Sequence, residues 1–321
     1  MAAASHQNIG LNGYVGFDTI TQQIQRKFLK RGFNFNIMLV GQTGLGKSTM
    51  VNTIFSAHLI DSKGRKSATE TPRQTVEITP VSHLVEENNV KMRLTIIDTP
   101  GYGDQVNNDR CWEPIIKYIT DQHQAYLQRE TSPTRERFIP DTRVHCCLFF
   151  ISPSGHSLKP LDIEVLRHLT QVANVVPVIA KADSLTPEER NAFKRRIKDE
   201  LNYHKINVYP YHSEEDDESD RSLLHSIKDL TPFSVVGSEA TFTVNGQTVR
   251  GRRHRWGIIN VEDETHCDFV YLRNFLTRTH LSDLLETTAH IHYETYRASA
   301  MRQPLPGAEV GDHQPLVNGS N

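Results

Sequence analysis

The chain has 321 residues, 37% hydrophobic and 8% aromatic, enough to bury a sizeable core as one large domain or two small ones. Its 36 lysines and arginines against 38 acids leave a formal charge of −2, so no overall field favours nucleic acid and none is expected as a partner. No apolar run approaches a membrane span, and Cys111, Cys146, Cys147 and Cys267 show no metal or disulfide spacing. A soluble protein of the reducing cytoplasm is expected.

Residues 1–18 read as a flexible leader. The stretch TITQQIQRKFLKR (19–31) predicts a short basic amphipathic helix. Ile20, Ile24 and Phe28 recur every four residues, Arg26, Lys27, Lys30 and Arg31 lie mostly opposite, and Gly32 closes it. Such a helix suits an anionic lipid surface or a neighbouring subunit.

From 33 to 240 apolar strands alternate with helices: FNIMLV (35–40), a helix from Lys47 to about Ala57, LTIID (94–98), and a helix marked by Trp112, Ile115, Ile116 and Ile119. VHCCLFFIS (144–152), a helix over 161–172, VVPVIA (175–180), a helix over 187–204 and FSVVG (233–237) follow. Strand, crossover helix, strand predicts an α/β fold with a mostly parallel sheet covered on both faces, and ligands in such folds bind beyond the strand C-terminal ends. EEDDESD (214–220) reads as a solvated loop or helix start, or as a docking surface for a basic partner. After 240 the pattern changes: a hairpin over 241–251 turning at Asn245-Gly246, a strand over 256–262, and one long helix from about 268 to 300 with Phe269, Leu272, Phe275, Leu276, Leu284 and Leu285 on one side. That helix is too long for one small sheet to cover, so part of its stripe is expected to need a partner. His290 and His292 fall on different faces of it and make no metal pair, and residues 303–321 read as a disordered tail.

The chemistry begins at Gly41, Gln42, Thr43, Gly44, Leu45, Gly46, Lys47 and Ser48, which match G-x-x-x-x-G-K-[ST], with Thr49 next in the same stretch. Glycines let backbone amides point at phosphate oxygens where a side chain would block the approach. Lys47 would neutralise the outer phosphates, and the Ser48 hydroxyl would ligate Mg²⁺. LTIID delivers Asp98 to the same edge, where it reaches Mg²⁺ through water, and the Gly101 amide can contact a γ-phosphate so that loop 101–108 senses it. VVPVIA leads into Lys181-Ala182-Asp183, whose carboxylate can accept two hydrogen bonds from guanine N1–H and the 2-amino group. The usual pattern is N-K-x-D, and here Ala180 replaces the Asn. Tyr102 stands where Ras places a water-orienting Gln. Thr75 is the candidate replacement, ligating Mg²⁺ by its hydroxyl and holding water by its carbonyl, or else an ordinary strand threonine.

GQTGLGKSTMVNTIF, DTPGYGDQVNN, RVHCCLFFISPSGHSLKPLDIEVL, NVVPVIAKADSLTPEE, PFSVVGS and RGRRHRWGIINVEDETHCDFVYLR together resemble septin sequence over about residues 14–300. A-K-A-D in place of N-K-x-D is normal for that family. The resemblance implies a Ras-like P-loop GTPase domain (33–240) followed by the septin unique element and C-terminal helix (241–302). It also implies a GTP/GDP-binding subunit with Mg²⁺ as cofactor, assembling with other septins into filaments of the cytoskeleton in the cytoplasm, with roles in cell division. Carried over by motif, Gly237 and Arg252 would flank the guanine above Lys181 and Asp183. Thr75 matches the switch threonine of hydrolytic septins, acting with Lys47 and Gly101. His156, Thr186 and Glu189 match positions facing the neighbouring subunit across the nucleotide, and helix 19–31 matches a phosphoinositide-binding element.

Without a terminal coiled coil, the chain resembles the subgroup that ends after its unique element. A monomeric GTPase switch and a dynamin-type GTPase are the competing readings; the long helix and extra hairpin favour the filament subunit. On that reading Arg250, Arg252, Arg253, Arg255 and Trp256 form a face that a second subunit closes, with Trp256 as aromatic anchor; the alternative buries Trp256 in its own hairpin.

Overall fold

Strands buried on both faces alternate between two cores, and β1 (Phe33–Gly41) does so. Phe35, Ile37 and Leu39 pack into one apolar cluster while Met38 and Val40 pack into the other. The computed structural model describes residues 19–62, 77–88, 90–103, 108–211, 218–244 and 246–302. Thr75 and the stretch 104–107, together with 1–18, 212–217, Asn245 and 303–321, lie outside the described residues.

The main sheet also contains β2 (Thr79–Glu87), β3 (Val90–Asp98), β4 (Cys146–Ile151), β5 (Val175–Ile179) and β6 (Phe233–Ser234), in the order β2-β3-β1-β4-β5-β6. Every neighbouring pair is parallel except β2 with β3. The adjacent Cys146 and Cys147 fall into opposite cores, as strand alternation requires. Helices α2 (Lys47–Ile54), α3 (Glu113–Thr131), α4 (Pro160–Leu169), α5 (Pro187–Tyr203) and α6 (Glu218–Leu230) connect the strands. This is the expected α/β architecture, with two differences. The sequence reading missed β2, because a mostly exposed edge strand lacks the apolar run that marks a buried one. FSVVG contributes only Phe233 and Ser234 to the sheet before the chain leaves it.

Helix α1 (Thr19–Arg31) has the expected bounds, with Ile20 and Ile24 exposed. Gly32 ends it at φ 71°, where an added Cβ would stand 2.8 Å from the Lys91 carbonyl oxygen. Beyond the main sheet, β7 (Thr241–Val244), β8 (Gln247–His254) and β9 (Gly257–Asn260) form a second, antiparallel sheet.

The long C-terminal helix is not continuous. It runs as α7 (Phe269–Asn274), a π-turn at Phe275–Thr279, a break at His280 (φ −120°), α8 (Leu281–Thr287), a second π-turn at Thr288–Tyr293, and α9 (Glu294–Arg302). Each π-turn re-aims the faces that follow it. The segment therefore bends over the sheet, and Phe269, Leu272, Phe275, Leu276 and Leu284 are all buried in the core of this same chain. Most of the stripe is thus covered within the chain, and Ile291 and Met301 are its exposed large apolar side chains among the described residues.

Asn174 pins the bend from below. Its amide nitrogen, with two hydrogens, shares them among the carbonyls of His145 (2.9 Å) and Leu284 (3.0 Å) and Thr288 Oγ1 (3.0 Å), and its oxygen lies 3.0 Å from His292 Nε2. Among the described residues no helix is long and apolar enough to cross a membrane.

Candidate functional site

The C-terminal ends of β1, β3, β5 and β6 bring the motif residues to one edge. Between β1 and α2 the chain turns through Gly44 (φ 78°) and Gly46 (φ 85°), left-handed backbone that favours glycine. An added Cβ at either would meet nothing within 4 Å, so it is the left-handed backbone and not crowding that calls for glycine here. Lys47 begins α2, only 8% exposed, and its Nζ donates to the carbonyls of Gly41 (2.9 Å) and Gln42 (3.1 Å). A buried ammonium tied to the loop's own backbone at a helix N-terminus is the kind of arrangement that suits a polyphosphate. Thr43 and Thr49 sit on the same turn and first helical turn, with Leu45 buried beneath.

Ser48 Oγ lies 3.4 Å from Asp98 Oδ2 at the end of β3, a hydroxyl and a carboxylate side by side. A hydroxyl and a carboxylate oxygen in that pairing are the donor types a hard divalent cation takes. Thr75, the third expected ligand, lies outside the described residues. Gly101 is pressed on the loop: an added Cβ would stand 2.0 Å from Thr43 Oγ1 and 2.5 Å from Thr43 N. Only glycine lets these two loops approach so closely.

Tyr102 turns away from this edge. Its ring is buried against Phe149, and its hydroxyl donates to Asp162 Oδ1 at 2.8 Å. Burial, then the neighbouring Asp162 charge, push its pKa well above the ordinary phenol value, and burial raises Asp162 as well. A neutral phenol facing the core cannot orient water at the phosphates.

At the other end of the edge, Lys181 adopts left-handed backbone (φ 48°) and leads into Asp183, whose side chain is 5% exposed. Arg252, on β8, bridges the segments that follow β5 and β6: its Nε donates to the Gly237 carbonyl at 3.0 Å, and its Nη1 lies 3.2 and 3.4 Å from the two Asp183 oxygens. Gly237 packs on α2, where an added Cβ would come within 3.1 Å of the Met50 Cα. The phosphate loop and the carboxylate are thus parts of one wall.

His254 completes that wall and the motif reading missed it. Its Nε2 lies 2.9 Å from Asp183 Oδ2, and Trp256 stacks on its ring with centroids 4.7 Å apart and planes 9° from parallel. The signal was available: two residues after Arg252 on a strand, His254 shares its face.

Trp256 is 74% exposed and precedes β9, which starts at Gly257; the alternative of a tryptophan buried in its own hairpin is wrong. Nor do the four hairpin arginines act together. Arg250 donates to the Thr53 carbonyl (2.8 Å) and to Ser56 Oγ (3.0 Å), fastening the end of α2, while Arg253 and Arg255 are exposed. His156 is exposed beyond β4. Thr186 and Glu189 are exposed and bonded to each other in a capping box at the start of α5: Thr186 N donates to Glu189 Oε2 (2.9 Å) and Glu189 N to Thr186 Oγ1 (3.3 Å). Arg26 is exposed on α1; the side chains of Lys27, Lys30 and Arg31 lie outside the described residues.

A sheet of order β2-β3-β1-β4-β5-β6 with a phosphate loop after β1 defines a Ras-like P-loop GTPase domain. The septin family profile matches residues 31–308, and the chain belongs to the septin family, with the guanine-nucleotide GTPase domain that membership carries. It is 61% identical over 312 residues to septin homolog spn2 of Schizosaccharomyces pombe, covering 96% of this chain and 94% of that one. It is 52% identical over 286 residues to cell division control protein 10 of Saccharomyces cerevisiae (89% of each). To neuronal-specific septin-3 of Homo sapiens it is 52% identical over 295 residues (92% and 82%). Among solved structures it is similar to a septin GTPase domain from Chlamydomonas reinhardtii, at TM-score 0.62 and 25% identity, covering 83% of this chain and 99% of that one.

Proposed function

We propose that the chain is a GTP/GDP-binding filament subunit, its residues 33–240 holding the nucleotide and its residues 241–302 closing one side of the site and docking on the sheet. Gly41 to Thr49 cradle the phosphates, with Lys47 neutralising the outer ones. Asp183 reads guanine N1–H and the 2-amino group, flanked by Lys181, Gly237 and Arg252. The observation that carries this reading is the single wall from Lys47 through Gly237 and Arg252 to the buried Asp183. Ser48 and Thr75, with Asp98 behind them, would hold Mg²⁺, which would supply charge neutralisation at the phosphates. The protein's part is to hold the phosphates, let the Gly101 amide sense the γ-phosphate, and let the Thr75 carbonyl orient water. With Tyr102 turned inward, hydrolysis is slow.

Assembly with other septins uses two faces. One lies across the nucleotide, where Trp256, His156, Thr186 and Glu189 are exposed on the site's side. The other is built from α1 and α9, the chain's end elements. Two faces make an open chain where one would make a closed dimer. Similarity to cell division control protein 10 supports a place in a division-associated cytoskeleton.

The test is to denature the purified full chain and identify what it releases. Guanine nucleotide is expected; adenine nucleotide would sink the base assignment. Asp183→Asn should relax base preference, and Thr75→Ala should keep binding while losing most turnover. Trp256→Ala and Ser48→Asn should both weaken the nucleotide-side dimer in analytical ultracentrifugation. If both dimerise as tightly as the unaltered chain, a monomeric switch replaces the filament reading.

A further inference from the structure

Guanine recognition by a carboxylate requires both oxygens at once, one for N1–H and one for the 2-amino group. A carboxylate offers about four lone-pair sites, and at Asp183 protein donors already occupy several of them. Arg252 Nη1 straddles the pair at 3.2 and 3.4 Å, while His254 Nε2 meets Oδ2 alone at 2.9 Å. The two kinds of contact are unequal. Those from Arg252 are long and shared between two acceptors, whereas that from His254 is at full hydrogen-bond length on one. With all of them in place Oδ2 is saturated, so an entering base must displace something. The long Arg252 contacts yield at least cost, and Arg252 keeps its bond to the Gly237 carbonyl through Nε while it shifts. Once Nη1 has moved, each oxygen has a lone pair open to the base, and the His254 bond at Oδ2 is compatible with one base hydrogen bond there.

We infer that His254 is a positioning residue for base recognition: it holds Asp183 Oδ2 from the protein side, so that the carboxylate stands with both oxygens aimed at the guanine edge. Because an ionised carboxylate only accepts, His254 donates, and the neutral ring with its proton on Nε2 suffices. One contact holds the ring in place: Trp256 lies flat against it, while Gly257, facing His254 across the β8–β9 pair, puts no side chain in its way. A buried carboxylate with no such donor can rotate, and a rotated carboxylate presents the base with one good oxygen rather than two. Trp256 thereby acquires a part in nucleotide affinity within a single subunit, apart from any assembly face.

This rests on Asp183 reading the base, and the experiment separates the two ideas. Titration calorimetry on the full chain, freed of nucleotide, would compare GDP with inosine diphosphate, which lacks the 2-amino group. The proteins are the unaltered chain, His254→Ala, His254→Gln and Asp183→Asn, each checked for an unchanged thermal midpoint. His254→Ala is expected to weaken GDP about tenfold, the loss of one hydrogen bond to a charged group. It should weaken inosine diphosphate less, so that the preference between the two nucleotides shrinks. His254→Gln, whose amide donates from a similar reach, is expected to restore most of both affinity and preference. A histidine that merely supported the hairpin would change both nucleotides alike. If His254→Ala binds GDP as tightly as the unaltered chain or more tightly, or lowers both nucleotides by one factor, the assignment is overturned. If Asp183→Asn also leaves GDP binding intact, base reading by Asp183 fails first, and the two failures are told apart by that variant alone.

Discussion

Tyr102 donates its hydroxyl to Asp162 at 2.8 Å, so the residue that follows D-T-P-G points into the core rather than at the phosphates. The bond links the loop after β3 to the first turn of α4, and Asp162 also bonds the Gln42 side chain in the phosphate loop. Tyr102→Phe should therefore cost stability, about 1–3 kcal/mol for a buried carboxyl that loses its donor. Turnover per folded molecule should stay within about twofold, since the phenol makes no contact with substrate in this arrangement. Urea unfolding and single-turnover hydrolysis on the same sample check both halves. A large fall in turnover with normal stability would place Tyr102 at the chemistry.

Gly101 is where the loop after β3 and the loop after β1 touch. A methyl group there would stand 2.0 Å from Thr43 Oγ1 and 2.5 Å from Thr43 N, and backbone cannot yield as a flexible side chain does. Gly101→Ala should push the loops apart by about an ångström, since a Cβ 2.0 Å from Thr43 Oγ1 must retreat at least that far. Misplacement on that scale costs about 100-fold in turnover, while GDP, which has no γ-phosphate for this loop to sense, should keep most of its affinity. Equal losses for GDP and a non-hydrolysable GTP analogue would mean that the substitution simply collapses the site.

Docking of the C-terminal segment should depend on pH. Burial holds His292 at about 4 instead of the ordinary 6.5. Burial, and then the Arg143 guanidinium and His292, hold His123 at about 4 as well. A histidine kept neutral in the fold binds fewer protons than it does unfolded, so stability is full above pH 6.5 and is lost as pH falls from about 6.5 to about 4. A shift of that size corresponds to about 3 kcal/mol for either histidine as an upper bound. His292→Gln can still donate to Asn174 Oδ1 and should flatten the decline. Denaturant midpoints at pH 7.5 and pH 5 would show this; an unchanged slope in the variant would remove His292 from the linkage.

Helix α1 exposes Ile20, Ile24 and Arg26 on a segment whose sequence also carries Lys27, Lys30 and Arg31. Near an anionic surface each cation contributes about 1 kcal/mol if not screened. Co-sedimentation with phosphoinositide-containing vesicles should fall when Arg26, Lys27, Lys30 and Arg31 become Gln, and fall further as salt rises. Equal pelleting of the variant would assign the helix to a neighbouring subunit instead.

What the sequence by itself determined was whatever is written in consecutive residues or in a short period. The alternation of apolar runs with helices specified a parallel sheet. That Gly41 to Ser48, Asp98 and Asp183 share one edge was legible because each ends or closely follows an apolar strand, and strand ends in such a sheet lie together. The bounds of α1 and the hairpin turn at Gly246 were readable for the same local reason. Tertiary structure alone decided the rest. Only the folded chain turns Tyr102 inward to a carboxyl 60 residues away, and only there does His254 reach Asp183 across 71 residues. Nothing local announces that Arg250 will fasten α2 rather than join Arg252. The C-terminal helix read as one rod because its apolar spacing is nearly regular. It is broken at His280 and tied where Asn174, 110 residues earlier, donates to the Leu284 carbonyl, contacts that no local spacing announces. Period and motif report what a segment prefers; which distant partner satisfies each buried polar group depends on the packing of the whole chain.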